Sequence, residues 1–198
     1  MRAPQNLRVV QVAPLESILE TIALRMQAIE ADMRVSIVLL DEASGHLRNG
    51  AAPSLPDYYN QALEALQPGE GVGSCGTAIW SGEPVLVADV LDHPYWAPYV
   101  DLARRVGFRS CWSVPFKDEA GRVLGSFAVY HDAPGLPDDE QFKLIVEFSR
   151  ITALAVQKVR AGRALRQAAA VFESTRDGVF ITDLDASIVA VNRAFTDI

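Results

Sequence analysis

Two cysteines, three histidines and a run of closely spaced glycines are the residues of this 198-residue chain whose chemistry could define a site. Gly69, Gly71, Gly73 and Gly76 surround Cys75 in the stretch Gly71-Val72-Gly73-Ser74-Cys75-Gly76-Thr77-Ala78. Glycines this dense predict a flexible loop that brings backbone N–H groups and Cys75 to a short helix start at Thr77-Ala78-Ile79-Trp80. Such a geometry can hold an anion or a polar ligand, and it can equally serve only as a tight turn. No Lys-Ser/Thr follows the glycines, so the loop is not that of a nucleotide hydrolase. Cys75 and Cys111 form no CxxC pair and predict neither a disulfide framework nor a zinc site; both suit small packing positions. His46, His93 and His131 are isolated in sequence. Any of them could give haem an axial nitrogen, His93 ahead of an aromatic-rich segment most readily, but isolated histidines also serve as surface and capping groups. Asp41-Glu42, Asp118-Glu119 and Asp138-Asp139-Glu140 suit turns and helix starts. No Ser/His/Asp triad or metal cage emerges.

The elements that must position these groups follow from periodicity. Leu15, Ile18, Leu19, Ile22, Met26, Ile29 and Met33 recur at helical spacing and predict an opening helix over 14–33. Val35 to Leu40 is strand-like, Ser44-Gly45 supplies a turn, and His46 to Ala52 returns as a paired strand. Pro56 opens a short helix that Pro68-Gly69 ends. A strand at Val85 to Val90, a helix at Trp96 to Val106, and two strands at Arg109 to Phe116 and Val123 to His131 complete the pattern. Strands that come in hairpins predict an α+β fold with an antiparallel sheet. Alternation along the Arg109 strand sets Arg109, Cys111 and Ser113 on one face and Ser110, Trp112 and Val114 on the other.

A long helix is predicted from Pro137 to about Thr175. Along it Ile151, Leu154, Lys158, Ala161, Leu165, Ala168 and Phe172 are spaced three and four apart, as in a coiled-coil seam. Pairing with a second copy in a parallel homodimer is expected, and the opening helix would join the bundle. The seam is weakened by Lys158 and the alanines.

Apolar residues make up 49% of the chain, enough for a sizeable core. A formal charge of −7 argues against nucleic acid and anionic membrane surfaces as partners. No apolar run is long enough to span a bilayer and the N-terminus lacks a signal-peptide core, so a cytoplasmic location is expected.

The glycine stretch, Val87-Ala88-Asp89-Val90 with His93-Pro94-Tyr95-Trp96, Arg109-Ser110-Cys111-Trp112-Ser113-Val114-Pro115-Phe116 and Val123-Leu124-Gly125-Ser126-Phe127-Ala128-Val129-Tyr130 together resemble the GAF family of sensory domains, over roughly Leu15 to Val159. The resemblance implies a five- or six-stranded antiparallel sheet with the N- and C-terminal helices on one face and a ligand pocket on the other. Candidates for that pocket are Cys75, Thr77, Trp96, Tyr99, Arg109, Cys111 and Ser113; the resemblance places Trp96 and Tyr99 on a helix that lids it, and alternation leaves open which face of the Arg109 strand meets it. The variant resembles those placed ahead of histidine kinases and of cyclic-di-GMP cyclases or phosphodiesterases, which implies a sensory input domain that binds a small ligand, dimerises, or both. A haem-binding sensor is an alternative. Another GAF branch reduces free methionine sulfoxide with cysteines; Cys75 shares its Gly-x-Cys-Gly context, but its catalytic cysteine falls in the segment matching His93 to Ala103, which contains none. The chain itself is therefore expected to be no enzyme, and no cofactor is named.

Phe172-Glu173-Ser174, Asp177 to Asp183 and Ile188 to Phe195 resemble the opening of a PAS domain. The expected organisation is a sensory domain over 1–160, a signalling helix over 161–175 and a truncated PAS piece over 176–198, with the natural protein continuing. A hairpin without a partner sheet is marginal in water, so Gly178 to Ile198 is expected to be poorly ordered unless it docks on a neighbouring chain.

Overall fold

The computed structural model describes residues 13–30 and 32–196. The chain divides between Val156 and Gln157 into two compact units.

In the first unit, helix α1 (Leu15–Gln27) buries Leu19, Ala23 and Met26, which stand one or two turns apart on a single face. It stops short of the expected 14–33. Ala28 and Ile29 already belong to the reversal that feeds the first strand, Ile29 is exposed, and Met33 is buried beyond the turn. Strands β1 (Arg34–Leu40) and β2 (Leu47–Ala51) form a hairpin whose turn is held by Asp41, its Oδ1 accepting from the N–H groups of Ala43 and Ser44. Then come α2 (Asp57–Glu64), α3 (Gly73–Ser81), β3 (Val85–Val87), a 3-10 turn (Pro94–Tyr99), α4 (Val100–Val106), β4 (Ser110–Lys117), β5 (Val123–His131) and α5 (Asp139–Ser174).

The sheet runs β2-β1-β5-β4-β3 and every neighbouring pair is antiparallel. The fold is thus α+β with a five-stranded antiparallel sheet. Its two faces bury different cores because strand residues alternate. On one face Val35, Ile37, Trp112, Val114, Phe127 and Val129 pack with α1 and with Ile145, Ala153 and Val156 of α5. On the other, Val38, Cys111, Ala128 and Tyr130 pack with α2, α3 and the segment Trp96 to Phe108. Helix α5 is started by a reciprocal cap: Asp138 Oδ1 accepts from the N–H groups of Glu140 and Gln141, and Gln141 Oε1 accepts from the N–H of Asp138.

The second unit holds the end of α5, a hairpin of β6 (Phe180–Thr182) and β7 (Ile188–Val191), and α6 (Arg193–Thr196). The structure gives this segment a defined hairpin through Thr196. Its tie is Asn192, which is buried: the Nδ2 donates to the carbonyls of Phe172 and Asp177, and the Oδ1 accepts from the N–H groups of Val179 and Phe195. The apolar side chains of Phe180, Ile181, Ile188 and Val189 remain exposed.

Candidate functional site

Of the glycine stretch, Gly69 and Gly71 lie in a loop and turn as expected, whereas Gly73 and Gly76 lie in helix. Helix α3 starts at Gly73, whose φ of +54° is a conformation that a side chain resists, and it continues through Cys75 and Gly76. A Cβ on Gly76 would meet Val72 Cγ1 at 2.7 Å, so glycine here lets the preceding loop fold flat against the helix. The buried first turn of α3 thereby sits on β4 and presents Ser74 and Cys75 to the sheet.

Between α2, α3, the 3-10 turn and α4 lies a cavity of about 80 Å³. Leu63, Leu66 and Leu102 give it apolar walls, Tyr59, Trp96 and Tyr99 an aromatic side, and Ser74 and Cys75 its polar atoms; none of its lining residues is charged. Trp96 Nε1 donates to Ser74 Oγ at 2.9 Å, and that hydroxyl faces the Cys111 carbonyl at 3.5 Å. The Trp96 ring also stands edge-on to Phe108 at 5.4 Å between centroids.

Beneath the cavity a polar cluster crosses the core. Cys75 Sγ is 3.3 Å from Ser113 Oγ and 3.7 Å from the Tyr130 hydroxyl. Ser113 Oγ lies 3.9 Å from Cys111 Sγ. Tyr130 OH contacts Ser36 Oγ at 2.9 Å and receives the Tyr59 hydroxyl at 3.3 Å. Ser126 Oγ, on the same face of β5 as Tyr130, is buried beside this cluster.

Both thiols are buried and unbridged, and they are electrically unequal. Hydrogen bonds from Cys111, Ser113 and Tyr130 favour the Cys75 thiolate over the cost of burial and bring its pKa to about 7. Burial pushes Cys111 up, and the neighbouring Cys75 adds to the rise. Tyr59 and Tyr130 are also pushed up, first by burial and then by the charge of Cys75.

Of the residues expected at the pocket, Cys75, Trp96 and Tyr99 line the cavity. Cys111 and Ser113 lie behind Cys75 in the cluster. Thr77 is turned into its own helix, its Oγ1 donating to the Gly73 carbonyl at 2.7 Å. Arg109 is outside the lining, because Asp89 holds it with a two-pronged contact from Nε and Nη2. The expected helix at Trp96 begins instead as a 3-10 turn, where Pro94 and Pro98 remove backbone donors. Ser36, Tyr59 and Tyr130 were not expected; the signal for Ser36 and Tyr130 was polar atoms at inward positions of otherwise apolar strands, and Tyr59 on α2 gave none.

The histidines stand apart from the cavity lining. His93 Nδ1 accepts from the Tyr95 N–H as a cap, His46 contacts the Ser44 carbonyl, and His131 leans on Trp112. A macrocycle needs roughly the several hundred Å³ of a drug-sized site, so the cavity and its lining do not fit haem. Glu30, Asp32 and His131 offer donor atoms within 4.8 Å of one another; Asp32 is exposed and Glu30 already accepts from Gln141. Among the described residues no helix is long and apolar enough to cross a membrane.

Residues 12–157 match the family model described as GAF domain. A methyl sulfide methyltransferase-associated sensor of Methanosarcina acetivorans is 27% identical over 195 residues, which is 96% of this chain and 20% of that protein. The chain therefore spans about a fifth of that curated relative's length. A domain described as that of a two-component sensor histidine kinase protein from Sinorhizobium meliloti 1021 is 26% identical, with a TM-score of 0.65 over 79% of this chain and 99% of that one. A free methionine-R-sulfoxide reductase from Neisseria meningitidis, 22% identical, shares the fold with a TM-score of 0.59, over 75% of this chain and 81% of that one.

Proposed function

The chain belongs to the GAF domain family, and from that premise we propose that this sensory domain takes a small uncharged ligand into the cavity beside Cys75 and relays its presence through α1 and α5. One observation carries the reading: the cavity and the terminal helices occupy opposite faces of one sheet and share β4 residue by residue. Cys111 belongs to the cavity side and Trp112, next to it, to the helix side. A ligand that displaces the Ser74–Trp96 contact would move α3 against β4 and bias how α1 and α5 pack. A volume near 80 Å³ restricts that ligand to a few non-hydrogen atoms unless the segment Pro94 to Val106 lifts.

Helix α5 is the output. Its residues Thr152, Ala153 and Val156 face the sheet, while Ile151 and Leu154 are 49% and 63% exposed on its other side, and Leu165 is 73% exposed farther along. A second copy of the helix covers this seam, Ile151, Leu154, Ala161, Leu165 and Phe172 forming a homodimer contact. The domain is cytoplasmic and precedes an output enzyme, a histidine kinase or a cyclic-di-GMP cyclase or phosphodiesterase, with residues 176–198 opening a PAS domain. Likeness to the sensor kinase domain and to the methanogen sensor supports this placement.

Thermal denaturation against a panel of small neutral molecules and oxyanions tests the ligand. A ligand at a hundred times its Kd stabilises by about 2.7 kcal/mol, an upward shift of several degrees. Ala62→Phe, which places a ring at the cavity wall, removes that shift. Flat curves throughout would leave a domain that only dimerises and spaces.

A further inference from the structure

Cys75 and Cys111 lie on different elements, α3 and β4, yet both thiols stand within 4 Å of one hydroxyl, Ser113 Oγ, at 3.3 and 3.9 Å. Only Cys75 lines the cavity; Cys111 is fully buried behind it. The polar atoms around the pair are hydroxyls, which can donate to a thiolate without neutralising it. The roles of an attacking and a resolving thiol are thus already separated by access.

We propose that Cys75 and Cys111 are a reactive dithiol that small hydroperoxides, entering through the cavity, oxidise to an intramolecular disulfide. This rests on the reading of the cavity as the entry point for a small molecule, and it names a reactant class for it.

Cys75 ionises first; its preference for the thiolate near neutral pH supports the assignment. The Cys75 thiolate attacks the distal oxygen of the hydroperoxide. An S–O bond forms, the O–O bond breaks, and the leaving alkoxide takes up the proton that Cys75 released, giving an alcohol, or water from hydrogen peroxide. Cys111 sulfur then attacks the sulfenic sulfur of Cys75. The S–S bond forms, the S–O bond breaks, and hydroxide leaves with the Cys111 proton as water. The thiols lose two electrons and two hydrogens; the hydroperoxide gains them as alcohol and water. An external dithiol reverses the bridge by exchange.

Size favours this reactant class. A cavity of about 80 Å³ admits hydrogen peroxide, comparable to a water-sized probe or two, and offers no charged anchor for a larger polar substrate. Closing the bridge draws the first turn of α3 onto β4, the strand whose opposite face supports α5.

The full chain, reduced and freed of reductant, is treated with hydrogen peroxide and with tert-butyl hydroperoxide, then unfolded and analysed by intact mass and thiol titration. The expected product is monomer on a non-reducing gel, lighter by about 2 Da, with both thiols lost together and restored by dithiothreitol. With dimedone present, Cys111→Ser traps a sulfenic acid on Cys75, whereas Cys75→Ser reacts at least tenfold more slowly. Thiols that stay titratable in excess peroxide, a bridge between chains, or an adduct that favours Cys111 would overturn the proposal. Oxidation by methionine sulfoxide and not by hydroperoxide would overturn the reactant class. Ligand-induced thermal shifts of the unaltered chain keep the two readings apart: shifts in a chain whose thiols stay titratable in excess peroxide sink this proposal and leave the sensory one standing.

Discussion

Trp96 Nε1 donates to Ser74 Oγ at 2.9 Å across a separation of twenty-two residues, and this one bond ties the 3-10 turn to the first turn of α3. Both residues are buried, so neither has bulk solvent as a ready replacement for the other. Ser74→Ala leaves the indole N–H unpaired and should cost about 1–3 kcal/mol, read as a lower urea midpoint with an unchanged slope. Unchanged stability would mean that the turn is held by packing alone.

The thiol pair gives stability a pH dependence with two opposing arms. Cys75 has a folded pKa of about 7, below its unfolded value of roughly 8.5, so its contribution is present above the unfolded value and is lost as pH falls through 7. Cys111 is raised, so its contribution is present below the unfolded value and is lost as pH rises beyond it. Wild-type stability should therefore rise between pH 6 and 8. Cys75→Ser should flatten that rise, and Cys111→Ser should soften the fall above about pH 8.5. Urea denaturation at each pH, under reducing conditions, measures both.

Gly125 on β5 pairs with Leu39 of β1 on one side and Phe116 of β4 on the other. A Cβ there would stand 2.1 Å from the Val38 carbonyl oxygen and 2.5 Å from Phe116 Cζ. Backbone cannot yield as a side chain does, so Gly125→Ala should cost about 3 kcal/mol or more. A drop below 1 kcal/mol by thermal or chemical melting would show that the strands can spread.

On α5, Leu154→Glu with Leu165→Glu puts charge on the exposed side while leaving Thr152, Ala153 and Val156 on the sheet. The double variant should be monomeric by light scattering at concentrations where the unaltered chain is dimeric, with the same circular dichroism. Equal masses for both would remove the dimer from the proposed mechanism.

In the second unit, Asn192→Ala deletes the hydrogen bonds that join the β6–β7 hairpin to the end of α5. Amide exchange from Val179 to Val191 should accelerate to the rate of an open hairpin, while exchange in β1, β4 and β5 stays unchanged. Protection that persists would assign the hairpin's order to its own strands.

Much of this arrangement was legible in the sequence, for physical reasons. Period-two alternation separated Cys111 and Ser113 from Trp112 and Val114, and the structure gives each set its own core. Trp96 and Tyr99, singled out by the family likeness, line the cavity. Three features were hidden. The start of α3 was masked because glycine density signals a loop, whereas Gly73 and Gly76 are needed for a left-handed helix start and for contact with Val72. The end of α1 was masked because Ile29 and Met33 continue the helical spacing by coincidence. The hydroxyl cluster was masked because Ser36, Tyr59 and Tyr130 meet only through the fold, ninety-four and seventy-one residues apart. Local pattern carries no record of such meetings.

Because successive side chains of β4 belong to different cores, the boundary between the two layers is a single peptide unit thick. Substitutions at the odd positions therefore fall on the cavity-side layer and those at the even positions on the helix-side layer. Either layer can be repacked while the neighbouring residue in the chain keeps its own surroundings.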